Sequence, residues 1–251
     1  MTESSIQHCI VIPVYRHFGP LAVVLDQLDR YGLRCYLVDD CNETPLKDAM
    51  AAELSRRPHV EVLRLEIHGG KGAACVEGAR LAHRHGFSHA IFIDADDQHE
   101  VADIPRVLAL SLQNPTAMIL GNPMFDPSAP MARRFGRIVS NMWVWLETLS
   151  FDIKDSLCGF RCLPLDPFLR IASGCQLGRR MDFDPDIAVR LFWEGVPAVN
   201  FETHIRYPPQ GISSFDFLHD NVALFRLHSK LFFGMVVRSP LLLLRHWSHA
   251  P

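Results

Sequence analysis

The sequence predicts an α/β protein: a mixed, mostly parallel sheet with helices on both faces, followed by an amphipathic helical tail. Short apolar runs without alternation are interleaved with helical patterns over the first two-thirds of the 251 residues. The composition, 48% hydrophobic and 21% charged, is that of a folded chain. We therefore expect one catalytic domain, residues 1–212, and a C-terminal segment, residues 213–251.

The predicted elements follow one another as strand, helix and strand, the pattern of parallel βαβ units. Gly32 and Gly86 are expected to end the first two helices, since glycine readily takes the left-handed conformation found at helix C-termini. The predicted strands are HCIVIPVY, RCYLVDD, HVEVLRL, HAIFIDADD and TAMILGN, and the predicted helices are GPLAVVLDQLDRYG and KGAACVEGARLAHRHG.

Carboxylates cluster where two of these strands end. Asp39 and Asp40 follow the second strand, and DADDQ follows the fourth. Ligands of open α/β sheets bind beyond the carboxyl ends of strands, although a single acid there is usually a turn former or helix cap. If the chain stays extended, side chains two residues apart share a face, and a hard divalent cation would relieve the repulsion between them. The predicted ligands of Mg²⁺ or Mn²⁺ are Asp94, Asp96 and Gln98, and the predicted partner of the metal is a diphosphate.

Charge and cysteine usage narrow the function classes. The net charge of −3 provides no overall basic field, so no nucleic-acid partner is expected. Seven scattered cysteines without a C-x-x-C pair indicate reduced thiols in a cytoplasm. The chain lacks G-x-S-x-G and H-E-x-x-H, and it has no G-x-G-x-x-G after its first strand, so those chemistries fit poorly.

Several motifs in a fixed order carry a resemblance. They are VIPVYR, LVDDCN, GGKGAACVEGAR, DADDQH, DSLCGFR and MDFDPDIAVRLFWEG, and they span roughly residues 8–212. This series resembles family two glycosyltransferases with the GT-A fold. GKGAA followed by DAD-x-QH is most similar to the dolichyl- or polyprenyl-phosphate sugar transferase branch.

The resemblance implies a role for each motif. The first strand's end would border a nucleotide base, the acids of the second strand would bind base and ribose, and the Gly-rich segment would meet phosphate oxygens through its lysine and amides. The alternative is that Lys71 is an ordinary surface lysine at the start of a helix. The nucleotide-sugar-binding residues implied are Pro13, Val14, Tyr15, Asp39, Asp40, Lys71, Asp94, Ala95 and Asp96.

Transfer of the sugar would leave a diphosphate, which the metal held by Asp94 and Asp96 would stabilise, and the resemblance implies inversion by direct displacement. Asp96 is therefore a candidate catalytic residue. A hydroxyl acceptor would also need a base, for which the candidates are Asp182, Asp184 and Asp186, with Asp182 as the first choice. Pro185 suits a first helical turn, which makes Asp184 a candidate N-cap. Acids that merely decorate a helix N-terminus are the competing interpretation.

A lipid-phosphate acceptor would need cations rather than a base. MARRFGRIVSNMW supplies the candidate acceptor-binding residues Arg133, Arg134, Arg137 and Ser140, with a solvated helix face as the alternative. In HIRYPPQGISSF the arginine usual in the lipid-phosphate branch is replaced, which leaves a hydroxyl or carboxyl acceptor open. Similar endings occur in bacterial transferases of lipid or aryl-polyene pathways.

The tail from Phe215 is apolar and basic, which is typical of an interfacial helix at anionic lipid. Burial against the domain or against a second subunit in a homodimer is the alternative. Arg238, Ser239 and Pro240 interrupt the apolar run, so we expect the tail to lie on a membrane and not to cross it. The location expected is the cytoplasmic face of the cytoplasmic membrane. A sugar nucleotidyltransferase and a non-catalytic nucleotide-sugar-binding protein remain competing functions.

Overall fold

The computed structural model describes residues 6–125, 131–206 and 217–248, which build a seven-stranded sheet flanked by helices. The strands are β1 (His8–Val14), β2 (Cys35–Asp39), β3 (Val60–Arg64), β4 (His89–Phe92), β5 (Met118–Phe125), β6 (Arg161–Pro164) and β7 (Ala198–Ile205). The helices are α1 (Phe18–Leu28), α2 (Leu46–Ala49), α3 (Ala51–Ser55), α4 (Lys71–Arg84), α5 (Ile104–Gln113), α6 (Met131–Thr148), α7 (Leu165–Gly174), α8 (Phe183–Trp193) and α9 (Phe217–Ser248).

The strand order is β3-β2-β1-β4-β6-β5-β7. β6 runs antiparallel to both of its neighbours, and the other pairs are parallel. The prediction of a mixed, mostly parallel sheet is therefore confirmed. Because β1, β2, β4, β5 and β7 point the same way, their carboxyl ends lie at one edge of the sheet.

Two apolar layers cover the sheet, because successive side chains of a strand point to opposite faces. Ile10 and Ile12 of β1 belong to the layer that contains α1 and α5. Cys9 and Val11 belong to the layer that contains α4, α7 and α8. Burial of each of these side chains stabilises the fold by roughly 1.5 to 3 kcal/mol. Helices on both faces are therefore confirmed.

The predicted helix ends are also confirmed. The first helical segment ends in a short 3₁₀ turn and then Gly32, whose φ is 61°. The helix α4 is followed by Gly86, whose φ is 86°. Both glycines occupy the left-handed region that a side chain would strain.

The fourth strand is shorter than the sequence predicted. β4 ends at Phe92, and the chain turns at residues 95–97, where Asp97 has a φ of 57°. The extended conformation assumed for residues 94–98 is therefore wrong. β6 and β7 were not predicted; β6 has only four residues, too few for a periodic pattern to be distinguished from a loop.

The tail forms α9, one helix that continues through Pro240. Its buried apolar side chains, Leu227, Leu231, Met235 and Leu242, belong to the same apolar layer as α8. By length and composition alone, the stretch from His219 to Arg245 is long and apolar enough to cross a membrane, with a mean hydropathy of 1.3 and 28% of it buried. Length and composition alone do not show a span, so the expectation that the tail lies on a membrane and does not cross it stays a prediction. The predicted domain boundary at 212/213 lies outside the described residues.

Candidate functional site

The candidate site lies at the sheet edge where β1, β2 and β4 end. Asp39 is the last residue of β2, Asp40 follows it, and Asp94 comes two residues after β4. Parallel pairing places Val14 of β1 opposite Asp39. The structure thus brings the predicted acids to one edge, as the positions of parallel strand ends require.

Asp39 is buried and holds the loop that follows β2. Its carboxylate accepts hydrogen bonds from the amides of Asn42 and Leu46, both at 2.9 Å, and from the guanidinium of Arg64 at 2.7 Å. Burial alone would raise the pKa of Asp39, but these hydrogen bonds lower it below its usual value. The predicted contact with a nucleotide base would have to displace one of these donors.

Asp40 performs a similar structural role for the Gly-rich segment. Its two carboxylate oxygens accept hydrogen bonds from the amides of Gly69 at 2.7 Å and Gly70 at 2.8 Å. The amide of Gly72 donates to the carbonyl oxygen of Arg179 at 3.0 Å. A Cβ at Gly72 would lie 2.1 Å from the carbonyl oxygen of Gly178, so the glycine permits this close packing. These amides are engaged within the protein, which differs from the phosphate contact that the sequence suggested for them.

The end of β1 presents an aromatic surface beside these acids. The ring of Tyr15 stacks on the imidazole of His68, with centroids 4.3 Å apart, and the guanidinium of Arg16 lies 4.9 Å from the centre of the Tyr15 ring. Pro13 and Val14 remain in the β1 ladder, and the carbonyl of Val14 accepts from the amide of Asp40. A flat base or ribose edge can be bound against such a surface.

The turn after β4 carries the three predicted metal ligands, Asp94, Asp96 and Gln98. Ala95 is buried, and the carboxylate of Asp96 accepts a hydrogen bond from the amide of Gln98 at 3.2 Å. The carbonyl of Gln98 accepts from the amide of Arg206. Asp97 has a left-handed φ of 57°, and Nε2 of His99 lies 3.2 Å from Asp94 Oδ2.

Opposite charges meet at the centre of the site. The ammonium nitrogen of Lys71 lies 2.8 Å from Asp94 Oδ1 and 2.8 Å from Asp184 Oδ2. Asp184 also lies 3.2 Å from the guanidinium of Arg161, and Nε2 of His99 lies 3.2 Å from Asp94 Oδ2. Arg161 is 1% exposed and also donates to the carbonyl of Asp184. The first residue of α4, the turn after β4 and the first turn of α8 are thus joined by ion pairs.

This arrangement changes the pKa values of its members. Burial opposes charge on Lys71, but Asp184 and Asp94 outweigh it and raise the pKa of the ammonium. Burial would raise the pKa of Asp94, but Lys71 and His99 hold it well below its usual range. Burial also opposes charge on His99, yet hydrogen bonding to Asp94 and Cys158 raises its pKa to about 10. Burial and the charge of Asp94 raise the pKa of Asp96.

The three acids of MDFDPD have structural roles that differ from those predicted from the sequence. α8 begins at Phe183, so Asp182 and not Asp184 is the N-cap residue, and the Asp182 carboxylate accepts from the amide of Arg180 at 2.8 Å. Asp186 accepts from the amide of Gly178 at 3.0 Å and pairs with Arg190. Asp184 alone among the three reaches Asp94, through Lys71.

The donor set at the end of β4 fits a divalent cation by its chemistry. Asp94 and Asp96 offer hard carboxylate oxygens, and burial together with the charge of Asp94 raises the pKa of Asp96, both of which a bound cation would offset. Over residues 6–125, 131–206 and 217–248, however, no three or more His, Cys, Asp or Glu side chains are arranged to hold a metal ion. In this conformation Lys71 and His99 neutralise Asp94 instead.

The predicted acceptor residues lie on α6. Arg137 forms an ion pair with the buried Asp155, and the hydroxyl of Ser140 is 3.2 Å from Nε2 of His228 in α9, in the interior. Arg134 is partly buried, and the side chain of Arg133 lies outside the described residues. The structure therefore directs Ser140 toward helix packing and ties Arg137 to the loop before β6.

Arg161 and Gly159 border the candidate site, and the sequence analysis gave neither of them a role. Both belong to DSLCGFR, which was recognised only as a motif. The signal that was available is an arginine at the start of an apolar run, since an arginine in such a place is rarely buried without a carboxylate partner.

Comparison with known proteins defines the class. A structure of glucosyl-3-phosphoglycerate synthase from Mycobacterium tuberculosis, in complex with Mn²⁺, UDP-glucose and phosphoglyceric acid, aligns with 92% of this chain and 80% of its own at 11% identity and a TM-score of 0.63. Residues 1–349 of S. aureus TarS, in complex with UDP-GlcNAc, align with 98% of this chain and 74% of that chain at 13% identity and a TM-score of 0.59. The fold is that of the GT-A glycosyltransferases.

Sequence comparison gives the family. The model of glycosyl transferase family 2 matches residues 9–162, more than half of the chain. The chain belongs to that family and is a glycosyltransferase. An uncharacterized protein of Methanocaldococcus jannaschii is 22% identical over 211 residues, which cover 81% of this chain and 90% of the relative. A second uncharacterized protein of that organism is 23% identical over 174 residues, covering 68% and 70%.

Proposed function

We propose that the protein transfers a sugar from a nucleotide-diphosphate donor to a lipid acceptor, most simply a polyprenyl phosphate, at a membrane surface. The observation that carries the proposal is the placement of Asp94, Asp96 and Lys71 at one sheet edge, where a diphosphate and its cation can be neutralised. The neighbouring fold bound to UDP-glucose and Mn²⁺ supports this type of donor.

Different residues of the chain would bind the metal, the diphosphate and the base of the donor. Asp94 and Asp96 would hold Mg²⁺ or Mn²⁺, which when bound supplies Lewis-acid stabilisation of the leaving diphosphate. Gln98 remains a candidate ligand. Lys71 would bind a diphosphate oxygen, and the Tyr15 ring would support the base. Direct displacement at the sugar carbon would invert its configuration.

The state of the acids favours an acceptor that is already ionised. Asp184 is held between Lys71 and Arg161, Asp182 accepts a hydrogen bond from the amide of Arg180, and Asp186 pairs with Arg190. Each of these carboxylates is already engaged by groups of the chain, so a base for a hydroxyl acceptor would first have to lose such a partner. A lipid phosphate needs no base and would be attracted by cations such as those at the start of α6.

The lipid part of the proposal rests on α6 and α9. The exposed apolar side chains of α6 are Phe135, Ile138, Val139, Met142 and Leu146, which share one helix face. The stretch 221–251 contains Arg226, Lys230, Arg238 and Arg245 and no acidic residue. A surface of this kind suits an anionic bilayer. Because the opposite side of α9 is buried in the core, we place the enzyme at the surface of the cytoplasmic membrane rather than across it.

The test is transfer by the purified protein to defined vesicles. A panel of nucleotide sugars with MnCl₂ or MgCl₂ is incubated with vesicles that contain either polyprenyl phosphate or polyprenol. We expect release of nucleoside diphosphate and a glycosylated lipid, seen by mass spectrometry, that require metal and the lipid phosphate. Asp96→Asn should reduce the rate at least about a hundredfold.

Asp97→Asn is the matched control, because asparagine tolerates the left-handed φ at that position and the charge change is the same. Equal rates in the Asp96 and Asp97 variants would contradict the proposal. Release of pyrophosphate in place of nucleoside diphosphate would indicate a nucleotidyltransferase. Preference for polyprenol over polyprenyl phosphate would contradict the lipid-phosphate acceptor and indicate a hydroxyl acceptor.

A further inference from the structure

Lys71 occupies a position that a divalent cation would be expected to fill. Its ammonium bridges Asp94 and Asp184 with equal distances of 2.8 Å, and the lysine side chain is only 20% exposed. Asp94 and Asp184 come from different elements, so the lysine and not the local backbone brings their carboxylates together. A cation between carboxylates from separate elements is the arrangement typical of a metal bridge.

The centre is balanced in charge without any metal. Lys71, Arg161 and His99 face the carboxylates Asp94 and Asp184, and Asp96 lies beside them. A divalent cation that entered this arrangement alone would meet carboxylates already neutralised by the chain. The diphosphate of a donor would supply the negative charge that is missing.

There is also little room for two cations beside Asp94. A Cβ placed on Gly159 would lie 2.3 Å from Asp94 Oδ2 and 2.9 Å from the Lys71 ammonium nitrogen. Backbone at Gly159 therefore closes one side of the ion pair. On another side, His99 holds the second carboxylate oxygen of Asp94.

We propose that Lys71 is the resident counter-cation of Asp94 and Asp184 in the donor-free protein and must leave Asp94 before a divalent cation can bind there. Its flexible four-carbon stem allows the ammonium to turn from Asp94 to an oxygen of the diphosphate. Metal and nucleotide are then bound together, and neither carboxylate is left without a partner. This inference rests on the proposed function, because it assumes a nucleotide-diphosphate donor.

The first test is a titration of the intact protein with Mn²⁺, with and without UDP or GDP. The concentration of free Mn²⁺ is measured by electron paramagnetic resonance. For the wild type we expect weak binding of Mn²⁺ in the absence of nucleotide. With the nucleotide that the protein accepts, Mn²⁺ should bind at least about tenfold tighter, after the Mn²⁺ bound by free nucleotide has been subtracted. Equally tight binding without nucleotide would overturn the inference, and this measurement needs no variant.

The second test is Lys71→Met, which removes the cation but keeps a side chain of similar length. Without nucleotide, Mn²⁺ should bind this variant on the order of tenfold tighter or more, because Asp94 loses its counter-cation. The enhancement by nucleotide should shrink by a similar factor. Lys71→Arg, which retains the charge, should bind free Mn²⁺ as weakly as the wild type.

Lys47→Met is the matched control. Lys47 is exposed on α2, so its loss changes the net charge equally without touching the site. Unchanged Mn²⁺ affinity in Lys71→Met, or an equal gain in Lys47→Met, would overturn the inference. Both results are independent of catalysis: a protein that binds Mn²⁺ as described but never transfers a sugar would contradict the proposed function alone.

Discussion

At the scale of single residues, the acids of the site serve as structural anchors as well as candidate ligands. Asp39 and Asp40 each accept several hydrogen bonds from loops that border the site, and Asp184 is shared between Lys71 and Arg161. Buried carboxylates of this kind must be paired, since an unpaired charge is costly in a low-dielectric interior. The geometry of the donor site and the stability of the fold therefore depend on the same side chains.

Asp39→Asn should make this dual role measurable through pH. The pKa of Asp39 is lowered in the folded protein, so its contribution to stability is present above its unfolded pKa of about 4 and is lost as the pH falls through the lower folded value. We expect the variant to be less stable than the wild type by about 1.5 to 3 kcal/mol at pH 7, the range for hydrogen bonds to a charged group.

The measurement is urea unfolding of both proteins between pH 7 and pH 2. The difference between their free energies of unfolding should narrow as the pH falls below about 4. Asp166→Asn, at an exposed position on α7, should leave stability within about 0.5 kcal/mol of the wild type at every pH. A difference for Asp39→Asn that is constant with pH would contradict the assignment.

At the scale of elements, the sequence predicted what strong local patterns determine. The β-branched run of β1 and the left-handed glycines after α1 and α4 were placed correctly, because buried periodicity and Gly conformation are local properties. The end of β4 was wrong by several residues, since the turn depends on Asp97 adopting a positive φ, which aspartate permits but does not require.

The candidate site was also predictable only in part, because local sequence patterns do not determine contacts between residues that are distant in the chain. That Asp39, Asp40 and Asp94 would meet at one edge follows from parallel strands. That Lys71 would bridge Asp94 to Asp184 does not, because the contact joins residues 113 positions apart through the packing of α8 against α4. The N-cap of α8 is Asp182, two residues before the Asp184 that the sequence suggested. Asp184 therefore lies in the first turn of the helix, where it contacts Lys71.

The contact between α6 and α9 contains a buried polar group that allows an element-scale prediction. Nδ1 of His228 lies 2.9 Å from Glu147, its Nε2 lies 3.2 Å from Ser140, and its ring stacks on Trp143. His228→Leu would leave the carboxylate of Glu147, which is 0% exposed, without this partner. We expect a loss of about 1 to 3 kcal/mol in unfolding free energy, measured in urea, which is the cost of leaving a buried polar group without its hydrogen bond.

A double-mutant cycle separates the hydrogen bond between His228 and Glu147 from simple packing. Because the cost of His228→Leu arises from a stranded carboxylate, adding Glu147→Leu should recover part of the stability instead of lowering it further. Additive losses would mean that the two side chains act independently. Ser229→Ala, a substitution on the same helix at a partly exposed position, should change stability by less than about 1 kcal/mol.

At the scale of the whole molecule, the sheet edge and the apolar helices are connected. α6 and α9 are the next helices after β5 and β7, two strands that end at the site's edge. The ion pair of Arg180 with the buried Asp220 links the loop before α8 to the first turn of α9. An acceptor that reached the site from a membrane would therefore approach along helices that already expose apolar side chains.

The exposed face of α9 gives the prediction that tests this arrangement. Phe225, Phe233, Val237 and Leu241 are between 62% and 78% exposed and lie on one helical stripe. Replacement of Val237 and Leu241 by aspartate should weaken binding to anionic vesicles about tenfold or more, since it removes apolar contact and adds charge repelled by the lipid. Cosedimentation with phosphatidylglycerol vesicles measures the change, and added NaCl should weaken the wild type as well.

Leu112→Asp is the control, because Leu112 is 57% exposed on α5, a helix that packs on the other face of the sheet from α9. Its vesicle binding should equal that of the wild type. If the double aspartate variant instead bound vesicles normally but changed from dimer to monomer in sedimentation velocity, the stripe would be a subunit contact. Such a result would refute the membrane assignment while leaving the donor site intact, since these side chains point away from the core that supports the sheet edge.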